Sequence, residues 1–161
     1  KNLINSFTKH MKIISKQYVE NLEPSGEAFR RNLELEDSIE IMTEGTLYSK
    51  NDATYIAYDE IEESGLQNTK TLLKLTDKAL EIRRYGEDMD GNMDMTLEPG
   101  VLNITRFKVP QLVNLDLEVY TNSLKDELSE EGYGKISVDY KITFDSSYVR
   151  RTKLEVEVLP S

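Results

Sequence analysis

Two arginines and a set of threonine hydroxyls carry the spacing that could do chemistry in this chain. Several runs alternate apolar and polar residues, and on a strand successive side chains point to opposite faces. Extending the apolar face of each run places Thr43 beside Ile41, Thr69 and Thr71 before Leu73 and Leu75, and Thr121 after Val119. The same parity places Arg84 after Leu80 and Ile82, and Arg106 after Leu102 and Ile104. A guanidinium offers a planar fork of donors, so an inward Arg flanked by hydroxyls can clamp the carboxylate of an amphipathic ligand. Thr43, Thr69, Thr71, Arg84, Arg106 and Thr121 are therefore the candidate ligand-binding residues. The competing reading puts both arginines at strand ends, where they snorkel to water. A one-residue bulge would invert the parity altogether. Tyr48, Tyr55, Tyr58, Tyr120, Tyr140 and Tyr148 read as strand formers and core or rim residues rather than a stacking platform.

Other chemistries lack their residues. His10 is the only histidine and there is no cysteine, which removes a Ser-His-Asp triad, a two-histidine metal site, a thiolate nucleophile and any disulfide. The acidic run Asp88 to Asp94 fails as a calcium loop. With Gly91 at the sixth loop position, Gly86 falls where the first ligand belongs and Leu97 where the closing Glu belongs. It reads instead as an exposed hairpin tip. There is no phosphate-binding or dinucleotide fingerprint. The carboxylate pairs Glu34 and Glu36, Asp59 and Glu60, Glu62 and Glu63, and Glu130 and Glu131 fall at strand ends or in loops, where solvated faces are the default. No catalytic residue, metal ligand or cofactor is assigned, and the expectation is a protein that is not an enzyme.

The formal net charge of −10 opposes both nucleic acid and anionic membrane surfaces, because each must be met by basic surface. No apolar run approaches the roughly 18 to 20 residues that span a bilayer. The opening KNLINSFTKH lacks the apolar core of a signal peptide. The expected location is cytoplasmic, and a signal already removed upstream of Lys1 is compatible with the same residues.

The elements that must position the candidates are strands. Residues 1–10 read as a polar lead-in with room for one helical turn, and Met11 to Asn21 as a first strand. Residues 22–36 break the rhythm: Pro24-Ser25-Gly26 marks a turn, and Glu27 to Asn32 has the composition of a brief helix, so the stretch reads as a surface insertion. Strands are predicted at about 38–49, 53–61, 66–76, 79–85, 92–98, 101–109, 112–122, 135–145 and 148–159. Asn51-Asp52, Ser64-Gly65, Asp90-Gly91 and Pro99-Gly100 supply the turns. A capping-box spacing at Ser123 to Asp126, with Leu124 and Leu128 four apart and Gly132 to end it, predicts one short helix. The expected fold is all-β: a closed antiparallel meander barrel of about 8–10 strands with that helix at one mouth, closure removing exposed edges. It forms one domain, with residues 1–36 as lead-in and 37–161 as the barrel body.

From residue 37 onward the chain resembles the YwiB-like family of small bacterial lipocalin-like (calycin-like) β-barrel proteins of unknown function. The resemblance is carried by DSIEIMTEGTLYSKN (37–51), TYIAYDEIEESGLQNTKTLLKL (54–75) and LEVYTNSLKDELSEEGYGKISVDYKI (117–142). Within these stand Thr43-Glu44-Gly45, Tyr58-Asp59-Glu60, Gly65 ahead of Thr69 to Leu75, and Thr121 ahead of the turn into Tyr140. Lys108 to Leu112 departs from the Thr-Pro-Tyr-Gly-like segment usual there. The resemblance implies a barrel and carries no activity with it.

A small barrel is either filled by side chains or holds one ligand. The first expectation is a non-enzymatic protein binding a small apolar or amphipathic molecule in the barrel. The alternative is a filled barrel acting through its surface as a protein-interaction or regulatory module, with a partner the residues do not name.

Overall fold

Alternation dictates the architecture, and the computed structural model describes it for residues 7–61, 68–86, 93–107, 115–144 and 148–160. Ten strands run in chain order: β1 (Phe7–Ser25), β2 (Ala28–Lys50), β3 (Ala53–Asp59), β4 (Thr69–Leu75), β5 (Leu80–Gly86), β6 (Met93–Leu97), β7 (Leu102–Phe107), β8 (Leu115–Leu128), β9 (Gly134–Phe144) and β10 (Tyr148–Val158). They form one sheet in the order β6-β5-β4-β3-β2-β1-β10-β9-β8-β7, and every pairing of neighbours is antiparallel. The left-handed backbones of Asn51 and Asp52 build the β2–β3 turn that their residue types promised. Gly100, also left-handed, serves the turn after β6. The turns expected at Ser64-Gly65 and Asp90-Gly91, and the acidic run that starts at Asp88, fall largely outside the described residues.

The sheet curls until its two end strands meet. Asn103 of β7 donates its side-chain amide to the Thr96 carbonyl of β6 at 3.1 Å, and the Gly100 amide donates to the Thr121 carbonyl of β8 at 2.9 Å. No backbone ladder joins β6 to β7 among the described residues, so hydrogen bonding leaves the sheet open at that seam. The concave face holds one apolar core, with Met11, Ile56, Leu73, Leu80, Ile82, Leu97, Val119, Ile136, Val156 and Val158 all but sealed from water. At 1.5–3 kcal/mol for each side chain fully buried, roughly, this face is the main source of stability.

Two expectations are corrected. Residues 123–128 are strand, not helix: β8 continues to Leu128, paired with Gly134, after a register shift between Thr121 and Ser123. A spacing of four fits one face of a strand as well as of a helix, and Leu124 and Leu128 pack against the core from β8. The carboxylate of Asp126 caps the end of that strand by accepting from the Leu128 amide at 3.0 Å. Residues 22–36 are not a helical insertion either. Gly26, left-handed, turns the chain where predicted, and Ala28 onward pairs residue by residue with β1. Ladder partners supplied by β1 override a local window that lacks alternation. Beyond Val19, which faces Arg150, β1 pairs only with β2, so Glu20–Ser25 and Ala28–Leu33 make a two-stranded arm.

Candidate functional site

Polar side chains enter the concave face near one end of the sheet. On β4, Thr69 and Thr71 are buried ahead of Leu73 and Leu75, as their parity required. Thr71 stands between Tyr58 of β3 and Arg84 of β5 in the two ladders it joins. Its hydroxyl donates to Glu60 Oε2 at 2.5 Å. Tyr58, 7% exposed, shares hydrogen bonds with both Glu60 and Thr71. Burial pushes its phenol well above the ordinary tyrosine range; the Glu60 carboxylate adds to the shift and the Arg84 guanidinium opposes it.

Across the interior, Tyr140 of β9 pairs in register with Thr121 of β8 and with Thr152 of β10. Burial raises the Tyr140 phenol, while the charge of Arg84 and a hydrogen bond with Thr152 oppose the rise. Arg84 therefore sits within electrostatic reach of tyrosines from two separated parts of the sheet. Its Nε and the hydroxyl of Thr121 are buried without a hydrogen-bond partner. An orphaned guanidinium nitrogen costs free energy until something accepts from it.

The rim beside this cluster is hollow. An open depression of about 620 Å³ is lined by Asp59, Glu60, Asn68, Thr69, Lys70, Tyr85 and Gly86. Glu60 and Thr69 belong to both the depression and the cluster, and Gly86 lies two residues beyond Arg84. A second hollow, about 490 Å³, lies between Phe7, Leu47 and Tyr48 and the β8–β9 turn, away from the polar cluster.

Of the six sequence candidates, Thr69, Thr71, Arg84 and Thr121 face the interior together. Thr43 lies half-buried on β2 opposite Met11, on the same face. Arg106 does not join them. It is exposed, with its Nε 3.0 Å from the Asp116 carboxylate in a cross-strand pair. The parity of β7 is the reverse of that expected: Thr105 is buried, while Leu102 and Ile104 are 55% and 59% exposed. β7 lies at the seam, where Asn103 donates to the Thr96 carbonyl of β6. Tyr58, Glu60, Tyr140 and Thr152 were not among the sequence candidates. The alternation Ile136, Val138, Tyr140 pointed one of them inward, but only the curl brings it to Arg84.

The groups gathered here are a guanidinium, phenols held neutral and threonine hydroxyls, a donor set suited to an anion. No group of three or more metal-ligating side chains occurs among the described residues, and no helix there is long and apolar enough to cross a membrane.

The fold has a solved counterpart. The crystal structure of the ywiB protein from Bacillus subtilis superimposes with a TM-score of 0.60 at 21% identity, covering 95% of this chain and 94% of that one. At that identity the likeness extends to the fold alone. No curated protein matches. A family model, described as a domain of unknown function (DUF1934), matches residues 27–156. Four-fifths of the chain thus fits one family pattern, including the β2 half of the arm that composition read as an insertion, and the protein belongs to the DUF1934 family.

Proposed function

We propose that the protein is a non-enzymatic binding protein whose curled sheet works as a barrel, taking a small amphipathic anion through the rim at Glu60, Thr69 and Gly86. The carboxylate or equivalent head sits against Arg84 and within reach of the Tyr58, Tyr140 and Thr121 hydroxyls. The observation that carries this reading is the buried Nε of Arg84, which has no protein partner and lies within electrostatic reach of Tyr140, whose ladder neighbour Thr121 also has a buried hydroxyl without a protein partner. Buried polar groups are nearly always satisfied by protein, ordered water or an ion, so a donor without a protein partner is one that a small polar ligand can satisfy. Glu60 does not compete as a base, since Thr71 and Tyr58 already occupy its carboxylate. The apolar half of the interior is filled by core side chains, so the tail of such a ligand points toward the rim.

Native mass spectrometry of the protein from its own host tests the reading, followed by calorimetric titration with decanoate as the probe. A co-purifying small anion, or decanoate binding weakened at least tenfold in Arg84→Gln, supports it; one charge-assisted hydrogen bond is worth about 1.5–3 kcal/mol. A clean apo mass across growth conditions, together with decanoate binding indifferent to Arg84→Gln, overturns it.

A further inference from the structure

Two opposite charges stand at the polar end of the concave face without meeting. Glu60, just past the end of β3, reaches inward and accepts from the Thr71 hydroxyl at 2.5 Å. Arg84 flanks the same threonine from β5, as its partner in the ladder. Both charges act on Tyr58, Glu60 adding to the rise of its phenol and Arg84 opposing it. No ion pair joins Glu60 to Arg84 or to another cation among the described residues. Lys70, the cation in the lining of the rim depression, faces Asp59 instead, at 4.0 Å. A carboxylate offers about four acceptor positions, of which Thr71 and Tyr58 take two. Glu60 itself lines the depression, so the remaining positions are open to what enters there.

We propose that the ligand of this site carries a hydrogen-bond donor, an ammonium above all, within a few bonds of its carboxylate, and that Glu60 is the residue that selects it; this rests on the reading of Arg84 as the anion anchor and narrows the head group it accepts. A head seated on Arg84 with its tail toward the rim passes Glu60 on the way. A plain fatty acid sets only methylenes against that carboxylate there, and they replace none of the water its open acceptor positions lose. An ammonium beside the head instead gives Glu60 a charge-assisted bond while the carboxylate takes the donors of Arg84. Strands β3 and β5, on either side of Thr71, lie two strand spacings apart, roughly 10 Å. Side chains converging from them can grip the two ends of one small dipolar head. The net charge of −10 favours the same class: it opposes the approach of a simple anion and does not repel a zwitterion.

Calorimetric titration of the full chain with decanoate, 2-hydroxydecanoate and 2-aminodecanoate tests this. The wild type should bind the amino acid about tenfold tighter than decanoate, with the hydroxy acid between them. Glu60→Gln, whose amide oxygen can still accept from Thr71, should bring the three within about twofold of one another. Asp59→Asn, which removes a neighbouring charge already facing Lys70, should keep the wild-type order. Equal affinities in the wild type, an order that survives Glu60→Gln, or an order that Asp59→Asn erases as completely, overturns the proposal. Arg84→Gln tells its failure from that of the anchor. Loss of all three acids in that variant, with no preference among them in the wild type, strikes out the role of Glu60 alone; indifference of all three to it strikes out the anchor. Should Glu60→Gln unfold, 2-methyldecanoate decides the matter in the wild type. It matches the shape of the amino acid without its donor and should bind no better than decanoate; binding as tight as that of the amino acid overturns the proposal.

Discussion

Arg84 and Tyr140 lie six steps apart in the hydrogen-bonded strand order, yet they share one electrostatic environment on the concave face. Only the curl of the sheet makes that meeting possible, and it sets what each member of the cluster costs the fold. Arg84→Met removes a buried nitrogen that has no acceptor and keeps the apolar stem. The apo protein should be as stable as wild type within about 1 kcal/mol, or more stable, because the substitution breaks no hydrogen bond at the buried Nε. Thr71→Val should do the opposite, costing about 1–3 kcal/mol, since Glu60 loses its 2.5 Å donor. Urea melts of the two variants check the contrast; a large loss in Arg84→Met would mean that the guanidinium is satisfied in solution.

The two buried phenols predict alkaline behaviour. Of the nine tyrosines, Tyr58 and Tyr140 should still be protonated after the exposed ones have ionised. An absorbance titration at the phenolate band should therefore show a late phase or an unfolding step. Both folded-state values are raised, so the stability they contribute is whole below the unfolded tyrosine value of about 10 and is lost as pH climbs above it. Tyr58→Phe should flatten that alkaline decline. A single tyrosine transition near the ordinary value, with the fold intact, would contradict the burial assigned here.

Much of this was legible in the residues. Alternation located nearly every strand, because a half-buried strand must alternate. Thr69, Thr71, Arg84 and Thr121 face the interior, as their alternation predicts, for the same reason. Arg106 was misplaced because β7, at the seam, turns Thr105 inward and Leu102 and Ile104 outward, against its local pattern. The helix at Ser123 failed because Leu124 and Leu128 satisfy two periodicities at once. The arm stayed hidden because its outer face interleaves Glu20 and Arg31 with its apolar residues, and only the register with β1 shows that those residues share a face. The cluster around Arg84 needed long-range geometry that no window of sequence contains.

On the convex face, Arg151 grips Asp139 with two bonds of 2.8 and 2.9 Å and also approaches Glu20. Burial works to raise the Asp139 carboxyl, but the bonds and charge of Arg151 prevail and hold it below the ordinary value. A depressed carboxylate stabilises the fold above its unfolded pKa of about 3.9, and that contribution disappears as pH falls through the folded value. Asp139→Asn should therefore cost about 1–2 kcal/mol at pH 7, with the difference from wild type shrinking below about pH 4. Thermal melts from pH 3 to 7 read this directly, and a penalty that does not change with pH would assign it to packing rather than charge.

Gly45 lies opposite Tyr58 in the β2–β3 ladder, and its role is a matter of space, not of backbone angle. A methyl group there would come within 2.7 Å of Met11 Cε and 2.9 Å of the Ala57 carbonyl oxygen. The methionine can swing aside, since its thioether chain is flexible. The carbonyl cannot, because it belongs to the backbone of β3. Gly45→Ala should consequently cost about 1–3 kcal/mol, a fall of several degrees in Tm for a chain of this size. Adding Met11→Ala separates the two walls. That change empties the Met11 side and carries its own core penalty, so the informative quantity is the coupling between the substitutions in a double-mutant cycle. Weak coupling would leave the Ala57 carbonyl as the obstacle, whereas coupling equal to the whole Gly45→Ala penalty would place the obstacle in Met11 and show the β3 backbone free to give way.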